Sequence, residues 1–140
     1  MRIVFLGDSI TDCDRNREDT KSLGNGFVKI LANKLLPIYP DTDIELINKG
    51  ISGNEVCDLL ARVQRDVIDL QPDAAVIMIG VNNTLHKFKY GKELNLKQFE
   101  SDLTELLTRI KEAGIVIIFL AHILHYPLEY FTTKSALMQQ

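Results

Sequence analysis

The chain contains few cysteines, which limits the kinds of site it can hold. Cys13 and Cys57 are the only two among 140 residues, and they stand far apart in the sequence. Neither belongs to a set of residues with metal-ligand spacing, so the sequence indicates neither a disulfide framework nor a zinc site. We therefore expect two free thiols and no metal, in a protein of the reducing cytoplasm.

Long apolar runs and an excess of positive charge are also missing. The apolar stretch before Gly7 is only four residues long, too short for the core of a signal peptide, and no window approaches the length of a membrane span. The formal net charge is -3, whereas binding to nucleic-acid phosphates needs clustered excess cations. We therefore expect no membrane segment and no nucleic-acid partner.

Short apolar runs alternate with stretches of helical periodicity along the chain. The apolar runs, which we predict to be strands buried on both faces, are residues 3–6, 44–47, 74–79 and 115–121. Apolar residues recur at helical spacing in residues 27–35, 56–67 and 99–110. This alternation predicts a single α/β domain over residues 1–140. It would be a three-layer sandwich with a parallel, flavodoxin-like sheet in the strand order 2-1-3-4.

Residues 84–96, which lie between the third strand and the third helix, contain three lysines and Gly91. We predict that they form a long surface loop. Loops of that length inside a compact domain are often functional.

Polar residues and glycines follow the first three predicted strands. They are residues 7–9 (Gly-Asp-Ser), 48–54 (Asn-Lys-Gly-Ile-Ser-Gly-Asn) and 80–83 (Gly-Val-Asn-Asn). In a parallel sheet these loops meet at one edge, outside the carboxyl ends of the strands, where ligands of such sheets bind. Ser9 therefore stands where a serine nucleophile would project from the sheet. The alternative is an ordinary turn into a helix, with Asp8 or Ser9 as its N-cap.

The three blocks resemble those of the GDSL or SGNH hydrolases, a family of esterases with a serine nucleophile, and stand in the family's order. The first two blocks are most similar to those of carbohydrate acetyl esterases, including acetylxylan esterases. The resemblance implies the SGNH hydrolase fold, a small-molecule or carbohydrate ester as substrate, and no cofactor. It also implies Ser9 as nucleophile, with the Gly53 backbone N–H and the Asn82 amide in the oxyanion hole. Asp8 is expected to support the turn as a cap rather than to act as an acid.

The sequence departs from the family in its last block, Asp-x-x-His, which supplies the base and the residue that orients it. No Asp stands three residues before any His in this chain, and a serine without a base is a poor nucleophile. We interpret the chain as a family member shortened after its fourth strand, with weak activity or none. His86, His122 and His125 are candidate replacement bases, although the sequence suggests no carboxylate to orient them. Asn83 is a second departure, because the family usually has Asp there.

Three further expectations follow from this interpretation. A fourth strand left at the edge of the sheet would offer unpaired backbone to a second copy, which predicts a homodimer. A non-catalytic remnant or interaction protein that retains the oxyanion pocket is an alternative function, consistent with the missing base. A nucleotide- or flavin-binding module on the same kind of sheet is another, but residues 7–9 lack the Gly-rich phosphate fingerprint.

Overall fold

Four parallel strands form one sheet in this protein, for which a computed structural model describes residues 1–121. The strands are β1 (Arg2–Gly7), β2 (Glu45–Gly50), β3 (Ala74–Met78) and β4 (Val116–Phe119). Their order across the sheet is β2-β1-β3-β4, and every neighbouring pair is parallel. The predicted parallel sheet and its strand order are therefore confirmed.

Helices connect the strands and cover both faces of the sheet. They are α1 (Ser9–Asp12), α2 (Phe27–Leu35), α3 (Val56–Asp66), α4 (Val81–Tyr90) and α5 (Leu96–Glu112). Short 3-10 turns follow α2 at Leu36–Ile38 and α3 at Ile68–Leu70. The predicted helices correspond to α2, α3 and α5.

The alternating side chains of β1 build two cores. Val4 and Leu6 pack on one face with residues of α3 and α5, including Leu59 and Leu106. Phe5 points to the other face and packs with residues of α2. Because successive residues of a strand point to opposite faces, the continuous apolar run of β1 serves both cores. The result is the predicted three-layer sandwich.

The prediction that every strand is buried on both faces is wrong for β4. Val116 is 61% exposed, Ile118 45% and Phe119 44%. Within residues 1–121, β4 pairs only with β3 and lies at the edge of the sheet. Although β4 is apolar, most of its side chains are therefore not buried by the described part of the chain.

The prediction of a long loop over residues 84–96 is also wrong, because most of that segment belongs to α4. The glycines lie at the helix ends: Gly80 precedes the helix and Gly91 follows it, both with positive φ. The backbone N–H of Gly91 donates to the carbonyls of His86 and Lys87, which satisfies carbonyls at the helix end. The lysines of the last turn are favourable beside the negative end of the helix dipole.

Candidate active site

The candidate site begins where β1 and β2 end in neighbouring glycines. Gly7 and Gly50 are register partners, and α1 lies directly against them. A Cβ on Gly50 would come within 2.2 Å of the Asp12 backbone nitrogen, and one on Gly7 within 2.3 Å of Thr11 Oγ1. Only glycine allows this approach, which fixes α1 and with it Ser9 at the end of β1.

The structure shows which of Asp8 and Ser9 is the N-cap of α1, a question that the sequence left open. Asp8 is fully buried and is the N-cap of α1, with its Oδ1 accepting from the Ile10 backbone N–H at 3.0 Å. Ser9 is the first residue of the helix and is exposed. Within residues 1–121 the Ser9 hydroxyl has no hydrogen-bond partner. The cap is therefore Asp8, and the Ser9 hydroxyl is available to a ligand.

Asn48 joins the end of β2 to α1. Its buried side chain donates from Nδ2 to the Thr11 carbonyl at 2.6 Å and to the Leu23 carbonyl at 2.9 Å. Its Oδ1 accepts from the Gly50 backbone N–H at 2.8 Å. Asn48, the first residue of the second block, therefore holds α1, the helix that begins with Ser9 of the first block.

Asp12 joins α1 to the loop that carries Gly53. Its buried carboxylate accepts from Arg17 at 2.5 Å and from the Ser52 backbone N–H at 2.9 Å. Burial alone would raise the pKa of Asp12. The hydrogen bonds from Arg17 and Ser52, with the charges of Arg17 and Arg15, outweigh burial and lower it. The carboxylate is therefore ionised at neutral pH, and it orients the backbone one residue before Gly53.

Gly53 has a φ of +86°, a backbone conformation that residues with a side chain rarely adopt. A Cβ there would meet no described atom within 4 Å, so crowding does not explain the glycine.

Asn82 is 8% exposed and donates from Nδ2 to the Asn54 carbonyl at 3.0 Å. An amide nitrogen carries two protons, and the second has no partner among the described residues. One donor of Asn82 therefore fixes its position and the other remains available.

Two further side chains of α4 bind the same segment. The Asn83 Oδ1 accepts from the Val56 backbone N–H at 3.2 Å, and the His86 Nδ1 lies 2.5 Å from Glu55 Oε1. Because residues four apart lie on one face of a helix, Asn82 and His86 address adjacent residues of the loop. Together these contacts hold α4 against residues 54–56, a segment we call the rim loop.

Glu55 provides the carboxylate partner that the sequence did not suggest for His86. Its side chain is 7% exposed, and Oε2 accepts from Lys92 Nζ at 2.6 Å. Burial alone would raise the pKa of Glu55, but hydrogen bonds and charges from Lys92 and His86 outweigh it and lower the pKa. The expectation that His86 has no carboxylate orienter is therefore wrong. The described hydrogen bond of His86 is with Glu55 and not with Ser9.

Arg62 is the organising residue that the sequence analysis missed. From α3 it donates to the carbonyls of Gly7 and Lys49, at the ends of two strands, and to Asn54 Oδ1 in the rim loop. It also pairs with Asp66 at 2.7 Å, and both side chains are buried. The signal was an Arg and an Asp four residues apart on the apolar face of α3, a spacing that allows an ion pair.

The structure thus gathers the predicted residues at the carboxyl ends of the strands. Ser9 and Ser52 line one groove of about 440 Å³. Gly53 follows Ser52, and Asn82 is bonded to the residue after Gly53. His122 and His125 lie outside the described residues. Within residues 1–121 no group of three His, Cys, Asp or Glu is arranged to hold a metal ion, and no helix is long and apolar enough to span a membrane.

The fold is that of the SGNH hydrolases, and comparison with known families agrees. The model of the GDSL-like lipase/acylhydrolase family matches residues 5–139. The chain therefore belongs to the GDSL-like lipase/acylhydrolase family, and the resemblance noted in its sequence motifs is confirmed.

The relatives include an acetylxylan esterase from Geobacillus stearothermophilus that is 39% identical, with 83% of this chain and 58% of the relative covered. The solved structure of Axe2, an acetylxylan esterase from the same organism, matches with a TM-score of 0.75 and 39% identity, over 84% of this chain and 57% of that one. A putative GDSL-like lipase from Parabacteroides merdae matches with a TM-score of 0.78 and 35% identity, over 86% and 57%. The chain spans somewhat more than half the length of these relatives.

Several of the solved Axe2 structures are catalytic mutants. They replace a serine, an aspartate or a histidine of that enzyme by alanine. The same three residue types form the serine-histidine-aspartate arrangement of hydrolytic enzymes.

Proposed function

We propose that this protein is a serine ester hydrolase in which Ser9 is the nucleophile. The observation that carries the proposal is the exposed Ser9 at the end of β1, whose hydroxyl has no hydrogen-bond partner within residues 1–121. Gly53 lies in the adjoining loop, and Asn82 lies at the start of α4 and bonds to the residue after Gly53. Membership of the GDSL-like lipase/acylhydrolase family supports the same reaction class.

The proposed chemistry is attack of Ser9 Oγ on the carbonyl carbon of an ester. The carbonyl oxygen becomes an oxyanion, and the Ser9 N–H, the Gly53 N–H and the second Nδ2 proton of Asn82 are its proposed donors. Each preorganised donor of this kind contributes about 3 to 4 kcal/mol to transition-state stabilisation. Asp12 and Asn82 contribute by fixing the loop, because they bond to the residues on either side of Gly53.

The proposed substrate is an acetylated carbohydrate or another small acetyl ester. The support is the set of relatives described as acetylxylan esterases, which match 83–84% of this chain. The proposed reaction needs no cofactor, since the nucleophile and the oxyanion donors are protein groups.

The base that accepts the Ser9 proton is the open element of this proposal. His86 is engaged with Glu55 and not with Ser9. We therefore assign His86 to positioning the rim loop, and His122 and His125 remain the candidate bases.

Labelling with a fluorophosphonate, analysed by mass spectrometry of the intact protein and its peptides, tests the proposal. We expect one slow adduct, on Ser9, that is absent in Ser9→Ala. A folded protein that remains unlabelled yet still binds a boronate in the pocket would instead be the non-catalytic alternative. Adducts on other residues alone would refute Ser9 as the nucleophile.

We also propose that two copies of the chain associate through β4 in the cytoplasm. The support is the exposed edge strand with its apolar Val116, Ile118 and Phe119, because such an edge invites pairing. Cys13 and Cys57 are unpaired, as expected for a reducing compartment. Sedimentation should give a dimer that Val116→Lys converts to a monomer, and a monomer at all concentrations of the unmodified chain would contradict the association.

A further inference from the structure

The groove beside Ser9 contains an arginine whose donors are only partly used. Arg15 is 9% exposed at its side chain, and its Nε donates to the Gly50 carbonyl at 2.8 Å. Its nearest carboxylate oxygen is Asp12 Oδ1, 3.9 Å from Nε. Within residues 1–121 its two terminal nitrogens have no hydrogen-bond partner. The guanidinium is thus fixed on one side and unsatisfied on the other.

The rest of the groove balances this charge. Ser9, Ser52 and Arg15 share its lining with Asp12, Asp14 and Arg17. Two arginines and two aspartates make the lining formally neutral. An anionic ligand that approached Arg15 would also meet carboxylates, whereas sugar hydroxyls can accept from a guanidinium and donate to a carboxylate.

We propose that Arg15 binds neighbouring hydroxyl groups of a neutral sugar and so determines the alcohol side of the substrate. The terminal nitrogens of Arg15 donate to the hydroxyl oxygens, and the carboxylate of Asp14 accepts a hydrogen bond from a hydroxyl group. The sugar then lies in the same groove as Ser9, next to the ester. This inference rests on the proposed function and names the part of the site that recognises the carbohydrate.

A buried, preset donor is well suited to this role. The bond to Gly50 holds the guanidinium in place before a ligand arrives, so less side-chain freedom is lost on binding. Buried donors left without partners also disfavour ligands that lack matching oxygens, which gives selectivity for hydroxylated substrates.

The test is an NMR titration of the full ¹⁵N-labelled chain with unacetylated xylotetraose as the probe. We expect saturable shifts of the amides of Ser9, Arg15 and Ser52. Arg15→Lys, which keeps the charge but not the fork of donors, should weaken binding about ten- to a hundred-fold. Arg109→Lys on α5, where the arginine contacts Gln64, is the matched control and should bind as tightly as the unmodified chain.

A second variant keeps the test decisive if Arg15→Lys does not fold. Asp14 has φ of +58°, a conformation that asparagine tolerates, so Asp14→Asn should fold and weaken binding several-fold. Absence of saturable binding, unchanged affinity in the variants, or shifts caused by inorganic phosphate but not by the sugar would each overturn the inference. Sugar binding in a protein that a fluorophosphonate does not label would refute the proposed chemistry alone.

Discussion

Nδ1 of His86 lies 2.5 Å from Oε1 of Glu55, and this contact joins α4 to the rim loop at the residue before α3. Asn82, one turn earlier on α4, bonds to the neighbouring residue of the same loop. The position of Asn82, a proposed oxyanion donor, therefore depends in part on Glu55, which takes no part in the proposed reaction.

Glu55→Gln should loosen this junction. The substitution keeps the shape of the side chain but removes the charge that pairs with Lys92 and His86. We expect a loss of about 1.5 to 3 kcal/mol in the free energy of unfolding, the range for hydrogen bonds to a charged group, measured by urea denaturation. Glu112→Gln at the exposed end of α5 is the control and should change stability little. Equal stability of the two variants would show that Glu55 is not a structural tie.

Stability should fall in acid, because three buried carboxylates have lowered pKa values. Burial alone would raise the pKa values of Asp12, Glu55 and Asp66, but hydrogen bonds and charges from their partners outweigh it. The unfolded chain therefore binds more protons than the folded chain as pH falls through the ordinary values of 3.8 for Asp and 4.5 for Glu. The stabilisation is present above these values and is lost below them.

Urea midpoints measured between about pH 6 and about pH 2.5, a range that brackets the ordinary carboxyl pKa values, check this. The midpoint should fall steeply below about pH 4. Asp66→Asn should flatten that fall, since one proton-linked group is removed. A midpoint independent of pH in this range would contradict the assigned ion pairs.

Arg62 and Arg65 provide a matched pair, because both bind Asp66 but only Arg62 is buried. Arg62→Met leaves carbonyls at two strand ends and Asn54 without their donor. We expect it to cost about 3 kcal/mol, the low end for breaking a buried pair, since Arg65 still pairs with Asp66. Arg65→Met should cost much less, because an exposed ion pair contributes little to stability. Thermal and urea unfolding measure both, and similar losses would refute the organising role of Arg62.

Hydrolysis of p-nitrophenyl acetate should be slow in this chain. No histidine among the described residues contacts Ser9, and an oxyanion hole alone retains roughly a thousandfold over water in triad enzymes. We expect Ser9→Ala to change the steady-state rate little, because a serine without a base is a poor nucleophile. His86→Ala should lower the rate in part, because the rim loop loses one of its contacts with α4. Vigorous Ser9-dependent hydrolysis that His86→Ala abolishes would show that His86 acts as the base.

The sheet and the three blocks were predictable because their signals are local in the sequence. Each strand contains a short apolar run, and Gly7 and Gly50, which allow the close approach of α1, are the last residues of β1 and β2. Helix α4 was missed because the lysines and Gly91 of residues 84–96 were taken as signs of a loop, although Gly91 only ends the helix. Strand β4 was expected to be buried because its run is as apolar as those of the inner strands, although the predicted strand order already placed it at the edge.

The supporting residues of the site were not predictable in the same way. Glu55 and His86 are 31 positions apart, and Arg62 and Gly7 are 55 apart. Such pairs form only when the fold brings distant segments together, so no spacing rule identifies them. The sequence therefore indicates the motif residues, whereas the supporting contacts of Glu55 and Arg62 are visible only in the structure.

The affinity of methylboronic acid, which mimics the tetrahedral intermediate of an acetyl ester, tests the central claim that Ser9, Gly53 and Asn82 form one site. Binding to the unmodified chain, Ser9→Ala and Asn82→Ala is measured by ¹¹B NMR. We predict saturable tetrahedral binding that Ser9→Ala abolishes and that Asn82→Ala weakens about ten- to several-hundred-fold, the range for one lost oxyanion donor. Equal affinity in all three proteins would contradict the account.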